Sequence, residues 1–408
     1  MMLDKIYCGL DVGSHNLKAS LVRIRNANSY ELLGVEGVST KGFKQSHVSD
    51  LGELSGSIHR VLKDLSKKSN VKFKDVYLGL GGNAVEARYS KAMIPLMDKA
   101  SKVITTSDLK KVNKQARLLG IKIDEEILHD FPQQYLVDDA NRILNPAGLY
   151  GRKLGVTSLL VVSQSNLIGN ISKAVNQAGF EVANVFFSSL AAAQTALSRD
   201  HIQKGSLLID IGATTTSILF FKDGFLRHLD VLPIGGQHLT QGVAESLRVP
   251  FDLAEQIKRS HALVSDEELR NNGDILVKKE EGYLTVKRKV ICSALDVPIA
   301  KILDGIQNTL KFSHIQEKLS MGVVIIGGGA LLSGLLEKVE SATGLPVEIG
   351  KIGISLTALN NAALFTSSVG LVQQAGVKPS FEPLAATSPR NWVDHVSYRV
   401  KELYEEYF

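Results

Sequence analysis

An apolar run that ends in Asp-x-Gly, takes a small hydroxyl residue and turns into a second apolar run occurs twice in this chain. No other feature limits the fold as much. The first copy spans Lys5 to Arg25, "IYCGLDVGSH" followed by "LKASLVRI". The second, "SLLIDIGATTTSILFFK", spans Ser206 to Lys222. Apolar runs of this length on either side of a Gly-containing turn predict strand, tight turn, strand. Two copies separated by about half the chain predict two similarly built lobes facing each other.

Between the copies, helical periodicity is predicted for Asp108 to Leu118 and Leu167 to Ala178, and a closely packing small-residue helix for Leu190 to Leu197. After the second copy, Gln237 to Leu247 and Asp252 to Ala262 read as helices, and Gly273 to Val290 as charged and strand-like. A third apolar strand opens at Met321, "MGVVIIGGGALLSGLLEKVE", and runs through three glycines into a helix. The stretch Gln374 to Pro389 is rich in Pro, Ala, Gly and Ser, lacks periodicity and reads as a linker before a last helix. The fold class is α/β.

Composition supports that architecture and removes several function classes. The 408 residues, 44% apolar and 22% charged, are enough for two or more cores. Lys plus Arg exceed Asp plus Glu by only 47 to 42, and the surplus is dispersed, so nucleic-acid binding has no support. Cys8 and Cys292 lie far apart in apolar settings without metal or redox spacing and are expected as reduced core residues. Met1 to Lys5 leads directly into a strand pattern, so no export signal is expected. Ile352 to Val377 carries no charge over a span long enough to cross a bilayer. Its Asn, Gln, Ser and Thr content would be costly in lipid, which predicts a helix buried against a sheet instead.

The chemistry concentrates at the turns. A strand ending in Asp-x-Gly sets a carboxylate at its tip, beside a turn whose glycine lets backbone N–H groups approach a phosphate. Asp11 and Asp210 are those carboxylates, suited to holding a hydrated Mg²⁺ that bridges phosphate oxygens. Gly13, Ser14, Gly212, Thr214 and Thr215 would supply backbone and hydroxyl donors. A single turn of this kind can serve conformation alone. Gly327, Gly328 and Gly329 lack the spacing of a dinucleotide fingerprint and suit a purine or ribose lying on bare backbone. Glu255 and Lys258, three apart on one helix face, could grip ribose and base or form an exposed ion pair.

In this order the pieces resemble the actin/Hsp70 superfamily and, within it, the FtsA family. Asp11 to Ser14 looks like the first phosphate motif, Asp210 to Thr215 the second and Gly327 to Ala330 the adenosine motif. Ser188 to Leu197 and Asn361 to Leu371 look like the two connecting helices. "HDFPQQYLVDD" from His129, "NPAGLYGRKL" from Asn145 and "NISKAVNQAGFEV" from Asn170 are similar to the FtsA insert and the helix after it. "LPIGGQHLT" from Leu232, which contains the nucleotide-binding position Gly236, and "AEQIKR" from Ala254 follow the same family.

The resemblance implies an actin-like ATPase fold, two RNase-H-like lobes around a cleft for ATP and Mg²⁺. The implied boundaries are residues 1–83, 162–199 and 355–376 for the first lobe, and 84–161 for a small inserted subdomain used in filament contacts. Residues 200–354 form the second lobe, with 236–300 as the part that receives the carboxy-terminal peptide of FtsZ. A linker at 377–389 and an amphipathic helix at 390–408 complete the chain. The implied work is scaffolding: polymerisation at the cytoplasmic face of the cell membrane at the division site, tethering FtsZ filaments, with other division proteins as further partners. A small-molecule phosphotransferase or a PilM-like assembly adaptor on the same fold are the alternatives.

Departures from the family pattern matter. Where the family's first phosphate loop usually carries Lys, this chain has Asn16; a lysine follows at Lys18, on the same strand face. Ser189 stands where members that hydrolyse ATP well carry Glu or Gln, with Gln194 a less well aligned substitute. Serine can orient water but is a poor base, so turnover is expected to be slow at most.

The tail gives an independent signal. At about 100° per residue, Trp392, Val393, Val396, Val400, Leu403, Tyr404, Tyr407 and Phe408 fall within an arc of roughly 160°, with charges on the rest. Aromatic residues suit the bilayer interface. The family's membrane-targeting helix occupies this place, so these residues are expected to contact the membrane.

Overall fold

The computed structural model describes residues 5–26, 29–97, 101–139, 141–264, 273–279, 282–312, 315–350 and 362–376. Each predicted turn sits in a five-stranded sheet. In the first, Lys5–Val12, Asn16–Asn26 and Ser29–Ser39 form an antiparallel meander, and Asp75–Leu80 and Glu181–Phe187 add in parallel beyond the first strand. The second repeats this order with Ser206–Ile211, Thr216–Lys222 and Phe225–Leu232 as the meander and Val323–Ile326 and Val347–Ile349 as the parallel pair. The internal repeat is therefore a repeat of topology. The central strands are buried almost throughout, as strands covered on both faces require.

The predicted helices form at Thr106–Gly120, Ser165–Gln177, Ser188–Ala196, Gly236–Leu247 and Phe251–His261. A further helix, Leu51–Ser69, crosses from the meander to the fourth strand of the first sheet. Leu54, Ile58, Val61, Leu62 and Leu65 form its buried stripe, Asp50 caps it through the Glu53 N–H, and left-handed Asn70 ends it. The helix Thr366–Gly376 lies buried against the first two strands, as the uncharged segment predicted, and packs on Ser188–Ala196. Gly370 permits that approach: a Cβ there would fall 1.9 Å from the Ala191 carbonyl oxygen.

Two boundaries move. Within the strand-like span Gly273 to Val290, the hairpin Asp274–Lys279 with Gly282–Lys287 ends where Lys287 meets Asp274, and Arg288–Ser293 is helical. Among the described residues the ladder ends at that pair, Arg288 still donating its N–H to the Gly273 carbonyl at 3.2 Å, and the helix buries Ile291 and Cys292. Gln374, placed at the start of the linker, is helical instead, because Gln373 and Gln374 are buried and the Gln373 side chain accepts a 3.0 Å bond from Thr195.

The insert is a four-stranded sheet in the order Asn141–Ile143, Glu125–Val137, Lys153–Gln164, Val85–Pro95, with Thr106–Gly120 packed on it. A Thr105–Asp108 capping box starts that helix. The root of the insert shares a core with both lobes: Val85, Phe131, Leu159 and Val161 meet Phe187 and Leu190 of the first lobe and Leu208, Leu219 and Phe221 of the second. Both cysteines are buried and free. Among the described residues no helix is long and apolar enough to cross a membrane. Asn361, the linker 377–389 and the amphipathic helix 390–408 with its eight membrane positions lie outside the described residues.

Candidate functional site

The two repeated turns face one another across a cavity of about 620 Å³. Asp11, Gly13, Ser14, Asn16 and Lys18 line it from the first lobe. From the second come Asp210, Gly212, Thr214, Thr215, Gly236, Glu255, Lys258 and the glycines 327 to 329. Ser189 lines it as well, whereas Gln194 is not among the lining residues. Sequence reasoning missed His15, Ser188, Phe251, Arg259, Leu331 and Ser367, which also line the cavity. His15, Ser188 and Arg259 adjoin residues it did name; Phe251, Leu331 and Ser367 come to the cavity through the packing of distant elements.

Asp11 is the next-to-last residue of the first strand, and in the hairpin register its partner is Lys18. The Ser188 hydroxyl donates to Asp11 Oδ1 at 2.7 Å. Burial pushes the Asp11 carboxyl up, opposed by Lys18 and by the Ser188 bond. Asp210 has the equivalent place in the second lobe, where Ser189 donates to its Oδ2 at 2.7 Å. Burial raises its pKa as well; the Ser189 bond opposes this and the Asp11 charge adds to it. Ser189 therefore already commits its hydroxyl proton, and with that bond made it can only accept from a water.

Two partly desolvated carboxylates that disfavour each other's charge fit a divalent cation. Among the described residues no group of three or more His, Cys, Asp or Glu side chains is placed to enclose a metal. The donor set thus suits a hard, hydrated ion such as Mg²⁺, completed by waters and ligand oxygens, and does not suit zinc.

The turns also touch directly. Ser14 Oγ and Thr214 Oγ1 lie 3.3 Å apart, one from each lobe. Thr40 donates to the Gly13 carbonyl at 2.7 Å, and the N–H groups of Gly236 and Gln237 fix the second turn through the carbonyls of Gly212 and Ala213 at 2.9 and 2.7 Å. Gly327 has φ +85°, and a Cβ there would fall 2.6 Å from Asp210 Oδ1. A side chain at 327 would both strain the backbone and displace the carboxylate.

Glu255 and Lys258 do form an ion pair, at 2.6 Å, but in the wall of the cavity and not on an exposed face. Lys258 Nζ also donates to Thr240 Oγ1 at 2.8 Å and to the Gly236 carbonyl at 3.0 Å, which accounts for its three protons. Arg259 and Thr240 donate to Glu255 too. Burial alone would raise the Glu255 pKa; the bonds from Lys258 and Thr240 and the charges nearby bring it down to about 2.

Comparison with known proteins bears on family and fold. Residues 207–370 match the family model "Cell division protein FtsA", and residues 82–162, which contain all but the last two residues of the inserted sheet, match "SHS2 domain inserted in FTSA". The cell division protein FtsA of Pseudomonas aeruginosa is 25% identical over 382 residues, covering 92% of this chain and 90% of the relative. That of Escherichia coli K12 is 24% identical over 380 residues, covering 90% of each. Among solved structures, the PilM-PilN type IV pilus biogenesis complex aligns with a TM-score of 0.66 at 18% identity, covering 91% of this chain and 99% of that one. MreB5 of Spiroplasma citri bound to ADP aligns at 0.52 and 13% identity, covering 91% and 96%. A MamK double helical filament aligns at 0.53 and 11%, covering 91% and 98%. At these identities the structural likeness is one of fold.

Proposed function

Because this chain belongs to the FtsA family of actin-like cell division proteins, we propose that it binds Mg²⁺·ATP and self-assembles at the division site. In this reading it works on the cytoplasmic face of the cell membrane and tethers FtsZ filaments there. The observation that carries the nucleotide part is the meeting of two homologous Asp-x-Gly turns, one from each lobe, across one cavity. The backbone N–H groups and hydroxyls of Gly13, Ser14, Asn16, Gly212, Thr214 and Thr215 would hold the phosphates, and Lys18 would add charge from the first lobe. Asp11 and Asp210 would hold the cation through its waters; when bound, it neutralises phosphate charge and orients the chain of phosphates. Gly236 and the glycines 327 to 329 leave room for the nucleoside. Glu255 and Lys258 would meet its ribose side, by exchanging one of the bonds they make within the wall.

A ligand that touches both lobes at once favours the closed arrangement, so nucleotide serves mainly as an assembly ligand. Ser189, bonded to Asp210, gives little general-base help, which supports slow turnover at most. The proposed units are a first lobe of residues 1–83, 162–199 and 355–376, the insert 84–161 for filament contacts, and a second lobe 200–354 whose part 236–300 receives the FtsZ peptide.

Membrane contact is assigned to residues 390–408, on the sequence pattern that would set Trp392 to Phe408 on one apolar arc of a helix. Liposome co-sedimentation of the full chain and of a chain ending at Gly376 tests this. The full chain is expected to pellet with liposomes and to carry FtsZ with it, while the shortened chain stays in solution and still binds a fluorescent ATP analogue. Equal pelleting of both chains would assign the membrane contact elsewhere.

A further inference from the structure

We infer that Ser188 and Ser189 are positioning residues that set the two cation-holding carboxylates, one from each lobe. The inference rests on the Mg²⁺·nucleotide reading of the cleft and names how this chain prepares it. Both residues open the helix Ser188–Ala196, both are buried, and both line the cavity. Consecutive helical side chains diverge by about 100°, so one turn of backbone can reach two strand tips. Ser188 takes Asp11 of the first lobe and Ser189 takes Asp210 of the second, each at 2.7 Å.

Each bond uses one carboxylate oxygen and leaves the second as an acceptor for a water of the cation. The backbone before the pair is held from the insert, where His129 Nε2 accepts the Phe187 N–H at 3.0 Å. Space around Ser188 is tight as well: a Cβ on Gly79 would fall 2.6 Å from its hydroxyl. The serines are thus fixed donors on a rigid element, and the carboxylates stand correctly before any ligand arrives.

The test separates metal from nucleotide. In the full chain, Ser188→Ala and Ser189→Ala are compared with wild type for binding of a fluorescent ATP analogue in EDTA. The same proteins are then titrated with Mn²⁺ in the presence of ATP, followed by electron paramagnetic resonance. Outer-shell partners of metal ligands typically contribute about 10- to 100-fold in affinity, so each variant is expected to hold Mn²⁺ about tenfold more weakly. Metal-free nucleotide binding should stay unchanged, and Ser189→Thr, which keeps the hydroxyl, should hold Mn²⁺ like wild type. Unchanged Mn²⁺ affinity in both alanine variants overturns the assignment, as does an equal loss in the EDTA and Mn²⁺ arms, which marks general structural damage. Failure of wild type itself to bind ATP with Mn²⁺ overturns the nucleotide reading, and the serine assignment with it, and is recognised because it appears before any substitution.

Discussion

The two lobes share one sheet topology, yet their turns are not equally charged. In the first hairpin the residue opposite Asp11 is Lys18; in the second, the residue opposite Asp210 is Ser217. Asp11 therefore has a cation directly opposite it, while Asp210 has a hydroxyl opposite it and feels the Asp11 charge more than it feels Lys18. The lobes diverge again at their crossovers. In the first, the insert lies between the fourth and fifth strands; in the second, two helices, a hairpin, the short helix Arg288–Ser293 and the helix Asp296–Lys311 lie between the third and fourth. Backbone at the turns is constrained by what must meet across the cleft, whereas crossovers at the sheet margins can grow without disturbing it.

Removing the carboxylates gives the largest expected effect. Asp210→Ala should weaken Mg²⁺·ATP binding by about 10- to 100-fold, since a charge-assisted contact is worth about 1.5–3 kcal/mol and each 1.4 kcal/mol is tenfold. Asp11→Ala should cost less, because Lys18 already offsets part of its charge. Titration of both variants with a fluorescent ATP analogue in Mg²⁺ checks the order. The reverse order would mean that Lys18 does not distinguish the lobes.

Lys18→Met sharpens the same contrast with a smaller change of opposite signs. The variant should bind metal-free ATP about tenfold more weakly, having lost one charge-assisted phosphate contact. Mn²⁺ alone should bind more tightly, since the two carboxylates then face no competing cation. Loss of both affinities together would show that Lys18 holds the loop in place and does not contact phosphate.

How far such features could be read from sequence depended on how local they are. Asp-x-Gly turns announce themselves because Gly and Asp carry their conformational and charge roles within a few residues. The Leu51–Ser69 helix is not among the predicted ones: it has a local 54, 58, 61, 62, 65 spacing and an Asp50 cap, but its Gly52, Ser55, Gly56 and Ser57 dilute the amphipathic signal. The insert's sheet was not legible either. Its central strand Lys153–Gln164 is buried on nearly every residue, so no alternation marks it, and its partners Val85–Pro95 and Glu125–Val137 are set by pairing far along the chain. The Ser188–Asp11 bond spans 177 residues and has no local signature at all. Ser189 was singled out by its place in the family pattern, while its donation to Asp210 could be seen only in three dimensions.

The smallest expected effect concerns charges that the second lobe brings to the cleft but pairs with one another. Lys258 satisfies all three of its protons within the wall, and Glu255 is held by Lys258, Thr240 and Arg259. Lys258→Met should therefore change ATP affinity less than Lys18→Met does, while lowering stability at neutral pH by leaving Glu255 with fewer partners. The pH dependence follows from the direction of the Glu255 shift. Its folded pKa, about 2, lies below the ordinary 4.5, so the pair's contribution is full above about pH 4.5 and is lost as the carboxylate protonates toward pH 2. Thermal melts of wild type and Lys258→Met should differ most near pH 7 and converge as the pH falls through that window. A gap of constant size down to pH 3 would mean that Lys258 stabilises through its buried alkyl stem, and that the ion pair contributes little.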